Sequence, residues 1–243
     1  MGSVAHHSLA IWPGRESGLG MRSWLGETAQ LARISAFPPK SVANDLLPRG
    51  DGQTVLVIPG FLTNDGTTGR LRRFLSSLGY RAEGWQSGLN LGPRTKSIEC
   101  LKERVAALAE ASGGKIAVAG VSLGGVFARE IAKMMPEQVG VVATLCSPVQ
   151  LPVPTPLAPF VWMLQRWFDQ GLVAGVSGEP VMPGQKLLAV YSRDDGIVQW
   201  EACVPPAGDN VTAIEVSGAS HTTIGSNPGA QSVLAHFLAD AFA

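Results

Sequence analysis

Charge is scarce in this 243-residue chain: Asp, Glu, Lys and Arg make up 16%, and the two signs balance at 19 each. With no field of one sign, nothing steers nucleic acid or an anionic lipid surface toward it, which argues against partners chosen by bulk charge. Cysteine is scarcer still. Cys100, Cys146 and Cys203 are odd in number and widely spaced, which argues against a disulfide framework and paired-cysteine metal sites and leaves free thiols as the expectation. Long apolar runs are missing too, since none reaches the roughly 18 to 20 residues that span a bilayer. Met1 through Gly20 lacks the basic start, apolar centre and small-residue cleavage site of a secretory signal. The expectation is a cytoplasmic protein with no transmembrane segment. No His, Asp and Cys cluster has metal-ligand spacing, Ser112-Gly113-Gly114-Lys115-Ile116 lacks phosphate-loop spacing, and no Gly-x-Gly-x-x-Gly opens a helix after a strand. Neither a metal nor a cofactor is expected.

What the chain has in quantity is apolar side chain, at 45%, and its length suits one large domain. Residues 1–50 read as an N-terminal extension packing on the core, with a helix from Arg22 to about Ile34 on the spacing of Met21, Trp24, Leu25, Thr28 and Leu31. Residues 51–243 then alternate. Strands are predicted at Thr54 to Ile58, Tyr80 to Gly84, Lys115 to Ala119, Gly140 to Leu145, Lys186 to Tyr191 and Val211 to Val216. Helices are predicted at Thr68 to Leu78, Thr95 to Ala111, Leu123 to Met134 and Gly229 to Phe242. The first strand is apolar throughout, as a strand buried on both faces must be, so the fold class is α/β with a doubly wound, mostly parallel sheet. About 35 residues between Pro148 and Pro183 exceed an ordinary connection and read as a short helical cap inserted at about 149–183.

Gly120-Val121-Ser122-Leu123-Gly124 matches Gly-x-Ser-x-Gly, a pattern that a chain this rich in glycine and serine produces by chance roughly 0.3 times. Its context carries more: the strand Ile116-Ala117-Val118-Ala119 runs into it and a helical pattern leaves it, which places Ser122 at the apex of a tight turn as a candidate nucleophile. A serine hydroxyl needs a base at neutral pH. His6 and His7 lie in the unpatterned tail and His236 sits inside the last helix, so His221, in a small-residue loop after a strand, is the candidate. The acid should fall between them in sequence. Asp194 and Asp195 both follow the Leu187 to Tyr191 strand, and Asp195 is preferred because Asp-Gly suits the turn and Ile197-Val198 can shield its carboxylate. The oxyanion donors are expected to be the backbone N–H of Leu123 and of Phe61, the latter preferred over Leu62 in Pro59-Gly60-Phe61-Leu62-Thr63.

From Val55 to the C-terminus these motifs, in this order, resemble the α/β-hydrolase superfamily. Val55-Leu56-Val57-Ile58-Pro59-Gly60-Phe61 resembles the oxyanion strand and loop of its bacterial lipase- and esterase-like members, with Pro-Gly where many have His-Gly. Gly84 through Pro93 resembles the segment after their next strand, Asp195-Gly196-Ile197-Val198 resembles their acid turn, and Thr144 through Pro148 resembles a strand end that carries glycine where this chain has Cys146. The resemblance implies the α/β-hydrolase fold and a serine esterase or lipase cleaving carboxylic esters through an acyl-enzyme. The same triad would also serve an acyltransferase, and the fold alone would serve a ligand-binding protein. In the cap, Leu157, Phe160, Val161, Leu164, Trp167 and Phe168 share one helical face. With Leu62, the side chains of Phe160, Leu164 and Trp167 are expected to line a pocket for a small apolar ester.

Overall fold

Six strands lie side by side in the computed structural model, which describes Glu27, residues 44–149, Val181 and residues 183–243. They are Thr54–Ile58 (β1), Arg81–Gly84 (β2), Ile116–Val121 (β3), Val139–Leu145 (β4), Lys186–Tyr191 (β5) and Val211–Glu215 (β6). Every neighbouring pair is parallel, in the order β2-β1-β3-β4-β5-β6. Asp65–Ser77 (α1), Thr95–Ser112 (α2), Leu123–Met134 (α3) and Pro228–Phe242 (α4) supply the helices that cover it. This is the doubly wound sheet that the alternating pattern predicts.

The alternation of side chains along β1 divides the core into two layers. Val55 and Val57 pack with Leu71 and Leu75 of α1 and Leu234 and Leu238 of α4, whereas Leu56 and Ile58 pack with Leu101 and Val105 of α2 and Phe127 and Ile131 of α3. All five β1 residues are buried, and each aliphatic one contributes up to about 1.5–3 kcal/mol by leaving water. β6, at the edge, half-buries Val211 and Ile214 and exposes Thr212, Ala213 and Glu215.

Strand order also creates the place for a site. From β1 the chain moves outward to β2, then crosses back to set β3 on the other side of β1. That reversal opens a crevice at the carboxyl ends of β1 and β3. Ile58 is aligned with Gly120, so Pro59-Gly60-Phe61 and Val121-Ser122 emerge beside each other.

Boundaries differ from the expectations where a side chain or a pairing decides them. α1 begins at Asp65, not Thr68, because the Asn64 side chain accepts from Gly66 N at 2.9 Å and caps the helix a turn earlier. β3 runs on to Val121 because Gly120 and Val121 still pair with Thr144 and Leu145. α4 starts at Pro228 behind Asn227, which accepts from Ala230 N at 3.1 Å. Short 3-10 turns at Asn44–Leu46, Trp200–Cys203 and Ile224–Ser226 had no counterpart in the hydropathy pattern. Of the predicted Arg22 to Ile34 helix, Glu27 alone is described, and the cap side chains Phe160, Leu164 and Trp167 lie outside the described residues.

Candidate active site

Ser122 stands between β3 and α3 with φ 54° and ψ −124°, a conformation that non-glycine residues rarely adopt and that costs of order 1–3 kcal/mol. The surroundings impose it. A methyl group built on Gly124 would collide with the Ile58 carbonyl oxygen, and one on Gly120 would collide with the Gly124 carbonyl. Only glycine lets α3 start this close to the end of β1. The turn is closed by Gly125 N donating to Ser122 O at 2.9 Å, and Ser122 N donates to Leu145 O at 2.9 Å. The serine side chain is thereby carried to the N-terminus of α3, where the helix dipole favours negative charge.

His221 and Asp195 are brought together from loops after β6 and β5. His221 Nδ1 lies 2.8 Å from Asp195 Oδ2, and both residues are buried. Asp195 Oδ1 accepts from Ile197 N and Val198 N, each at 2.8 Å, so the neighbours expected to shield this carboxylate also orient it through their backbone. Asp194 does something else. Its Oδ2 accepts from Gly218 N at 2.7 Å on the exposed side of the turn, tying the β5 turn to the start of the His221 loop. Burial pushes the His221 pKa down, but the charge of Asp195 and its hydrogen bond, with the charge of Glu27, outweigh burial and leave it raised. The imidazole is therefore poised to hold a proton more readily than a free one.

Glu27 is the residue that sequence reasoning missed. Its buried carboxylate accepts from Gly196 N at 2.8 Å and His221 N at 2.9 Å through Oε1. Through Oε2 it accepts from Thr222 N at 3.0 Å and Thr222 Oγ1 at 2.9 Å. A signal existed: Glu27 follows Trp24 by three residues and precedes Leu31 by four, so it is a charge on the apolar face of the predicted helix, where an unpaired carboxylate would be costly.

The loop after β1 abuts the serine, since a methyl built on Gly60 would lie 3.4 Å from Ser122 Cβ. Asn90, fully buried in the segment after β2, holds this loop. It donates from Nδ2 to Pro59 O at 2.8 Å, from its own N to Thr63 O at 2.8 Å, and accepts at its carbonyl from Leu62 N at 2.7 Å. The Leu62 amide is thus engaged by the Asn90 backbone carbonyl. Leu62 itself is exposed, at φ 58°, and Leu89 beside Asn90 is exposed as well.

Cys146 accounts for the departure noted at the end of β4. It sits at φ 46°, a left-handed position in which glycine carries no penalty and cysteine does. Its thiol lies with the Asp195 carboxylate and the His221 ring in a group of possible ligand atoms all within 4.8 Å of one another. A metal there would need a thiolate and a free carboxylate oxygen. Burial first, then the charge of Asp195, push the Cys146 thiol well above its ordinary pKa, and Asp195 Oδ2 is already engaged by His221. The donor set fits a hydrogen-bonded acid and base better than a chelate. Among the described residues, no helix is long and apolar enough to cross a membrane.

No family model matches the sequence, and neither does any curated protein. Solved structures do match the fold. One of the metagenome-derived lipolytic enzymes LipS and LipT superposes with a TM-score of 0.61 at 14% identity, over 84% of this chain and 99% of that one. EstE1, a thermostable carboxylesterase from a metagenomic library, gives 0.60 at 15% over 80% and 82%. The α/β hydrolase MGS-MChE2, from a lagoon-sediment metagenome of Mar Chica, Morocco, gives 0.57 at 14% over 78% and 91%. Identities this low speak to architecture and leave substrate open. With its parallel six-stranded sheet, flanking helices and these superpositions, the chain has the α/β-hydrolase fold.

Proposed function

We propose that this chain is a serine hydrolase of carboxylic esters in which Ser122 is the nucleophile, His221 the general base and Asp195 the group that orients the base. The observation that carries the reading is the His221 Nδ1 to Asp195 Oδ2 bond of 2.8 Å, formed at the same sheet edge as a serine held at φ 54° between strand and helix. Cys146 links the two: its thiol is in the Asp195 and His221 cluster, and Leu145 before it receives the Ser122 N–H.

A carboxylate already accepting from two backbone N–H groups takes the His221 bond as an acceptor too, which puts the ring proton on Nδ1 and leaves the Nε2 lone pair as base. Nε2 takes the Ser122 proton as Oγ attacks the ester carbonyl, and the imidazolium then gives that proton to the departing alkoxide. Water, deprotonated by the same nitrogen, attacks the acyl-enzyme and releases acid and free serine. Leu123 N–H at the start of α3 and Phe61 N–H in the loop beside Ser122 are the donors assigned to the oxyanion. Exposed Leu62 and Leu89 give this loop cluster an apolar rim, which suits a small apolar ester; Phe160, Leu164 and Trp167 of the cap are assigned to the same pocket on their helical spacing. A fluorophosphonate probe should label Ser122 in folded protein, and Ser122→Ala should abolish p-nitrophenyl ester turnover. Retained turnover in that variant sinks the assignment, and transfer to an added alcohol in preference to water would make the chain an acyltransferase.

A further inference from the structure

We propose that Glu27 is a positioning residue of this site: its single carboxylate fastens the acid turn and the base loop to each other, in the register that the Asp195 to His221 hydrogen bond requires. The inference rests on the Ser122, His221 and Asp195 reading and adds a fourth residue to it.

The two loops follow different strands, β5 and β6, and come together at this carboxylate. Gly196, which directly follows Asp195, donates its N–H to Glu27 Oε1, and His221 donates its own backbone N–H to the same oxygen. One atom therefore fixes the separation between the backbone next to the acid and the backbone of the base. Oε2 holds Thr222 through both its N–H and its hydroxyl, so the base loop is held at two successive residues. The loops have bonds of their own, such as Asp195 N to Ser192 O at 3.3 Å and Thr223 N to Ser220 O at 3.1 Å, which lie within one loop; Gly218 N to Asp194 Oδ2 at 2.7 Å also crosses between them, but on the exposed side of the turn and away from the backbone of the base. Without Glu27, the buried N–H groups of Gly196 and His221 and the part-buried one of Thr222 would lose their acceptor, and this tie between the acid turn and the base loop would be gone.

The carboxylate also acts on the ring of the residue whose backbone it holds. The groups facing His221 are Asp195 from the β5 turn, Glu27 from the N-terminal segment and the Cys146 thiol from the end of β4, with Cys203 behind Asp195 and Asp194 on the far side of the turn. Both cysteines are held protonated by burial. Glu27 is thus the second negative charge that favours imidazolium, and a residue serving the fold alone would not be expected to move the protonation of the base.

Two full-length variants separate charge from reach. Glu27→Gln keeps the shape and removes the charge; kcat on a p-nitrophenyl ester should fall about 10- to 100-fold with KM nearly unchanged, and the acid limb of kcat/KM should move to lower pH. Glu27→Asp keeps the charge and withdraws it by one methylene; its acid limb should stay near the wild-type position while kcat falls. Fluorophosphonate labelling of Ser122 in the same proteins keeps the two readings apart. If the wild-type protein is not labelled, the nucleophile assignment falls and Glu27's role falls with it. If the wild-type protein is labelled and both variants match it in rate and pH limb, the Glu27 proposal alone is overturned. Should Glu27→Gln fail to fold, Glu27→Asp decides: lowered kcat at an unchanged urea midpoint supports the proposal, and wild-type kcat overturns it.

Discussion

Replacing Asp195 by Asn changes one oxygen to an amino group, and the structure says which bond suffers. The carboxylate accepts three hydrogen bonds of 2.8 Å, two from Ile197 and Val198 N and one from His221 Nδ1. The Asn carbonyl can keep the two backbone donors, which leaves its NH2 facing Nδ1. Nδ1 must then accept, the ring proton moves to Nε2, and the nitrogen proposed as the base toward Ser122 no longer has a lone pair. A wrong tautomer of this kind costs about 10³- to 10⁴-fold in kcat, or about 4–5 kcal/mol of barrier. Folding loses less, about 1–3 kcal/mol, because neutral hydrogen bonds replace charge-assisted ones. That loss should depend on pH. A raised histidine pKa stabilises the folded state fully below the unfolded value, about 6.5, and the contribution disappears as pH rises through the folded value. The urea-unfolding penalty of Asp195→Asn should therefore be larger at pH 5.5 than at pH 8. Asp194→Asn is the control: it weakens one exposed bond to Gly218 N and should cost less than about tenfold in kcat/KM. The reasoning is refuted if Asp194→Asn is the more damaging change, or if Asp195→Asn turns over p-nitrophenyl esters near the wild-type rate.

Other residues give sharp expectations of their own. Ser122→Gly should be more stable than Ser122→Ala by about 1 kcal/mol in urea unfolding, reversing the usual order of these residues, because φ 54° suits glycine. Asn90→Ala removes the Nδ2 to Pro59 O bond and leaves Gly92 N, which donates to Oδ1 at 3.1 Å, without its acceptor. We expect a loss of about 2–4 kcal/mol in unfolding free energy and a fall in kcat as the loop beside Ser122 loosens; an unaffected kcat would detach Asn90 from that loop's function. Iodoacetamide on the native protein should modify Cys100, which is partly exposed, before Cys146 and Cys203, which are buried with thiols raised well above their ordinary pKa. Peptide mapping by mass spectrometry reads the order, and equal labelling of all three would contradict the burial.

Much of the architecture was legible because apolar burial writes a local pattern. The unbroken Thr54 to Ile58 run announced a strand covered on both faces, and the turn after Ile116 to Ala119 announced a sharp elbow. The same logic explains the errors at the edges. Ends are decided by single polar bonds, such as Asn64 capping α1, or by pairing with a remote strand, as Gly120 and Val121 pair with Thr144 and Leu145; neither leaves a periodic trace. Asp195 was favoured over Asp194 on turn chemistry and on resemblance, and the structure gives the two aspartates different partners, His221 and Gly218. At Cys146 the unexplained side chain of the sequence became a backbone conformation, φ 46°, which residue identity alone does not reveal unless glycine is present.

The polar residues that brace the site were hidden for a more general reason. In a parallel sheet the loops that carry function leave the carboxyl ends of different strands, so some N–H groups of a loop have no acceptor within that loop. Acceptors come instead from wherever the fold brings a short polar side chain. Asp65, at the start of α1, takes Trp85 N and Gln86 N, each at 3.0 Å; Glu27 takes Gly196, His221 and Thr222. Residue type is constrained in each case, since an acceptor of the right length is needed, but sequence position is not. A motif can therefore point to the proposed nucleophile and its turn, which are local, while the polar residues that tie the loops together emerge only when the chain is folded.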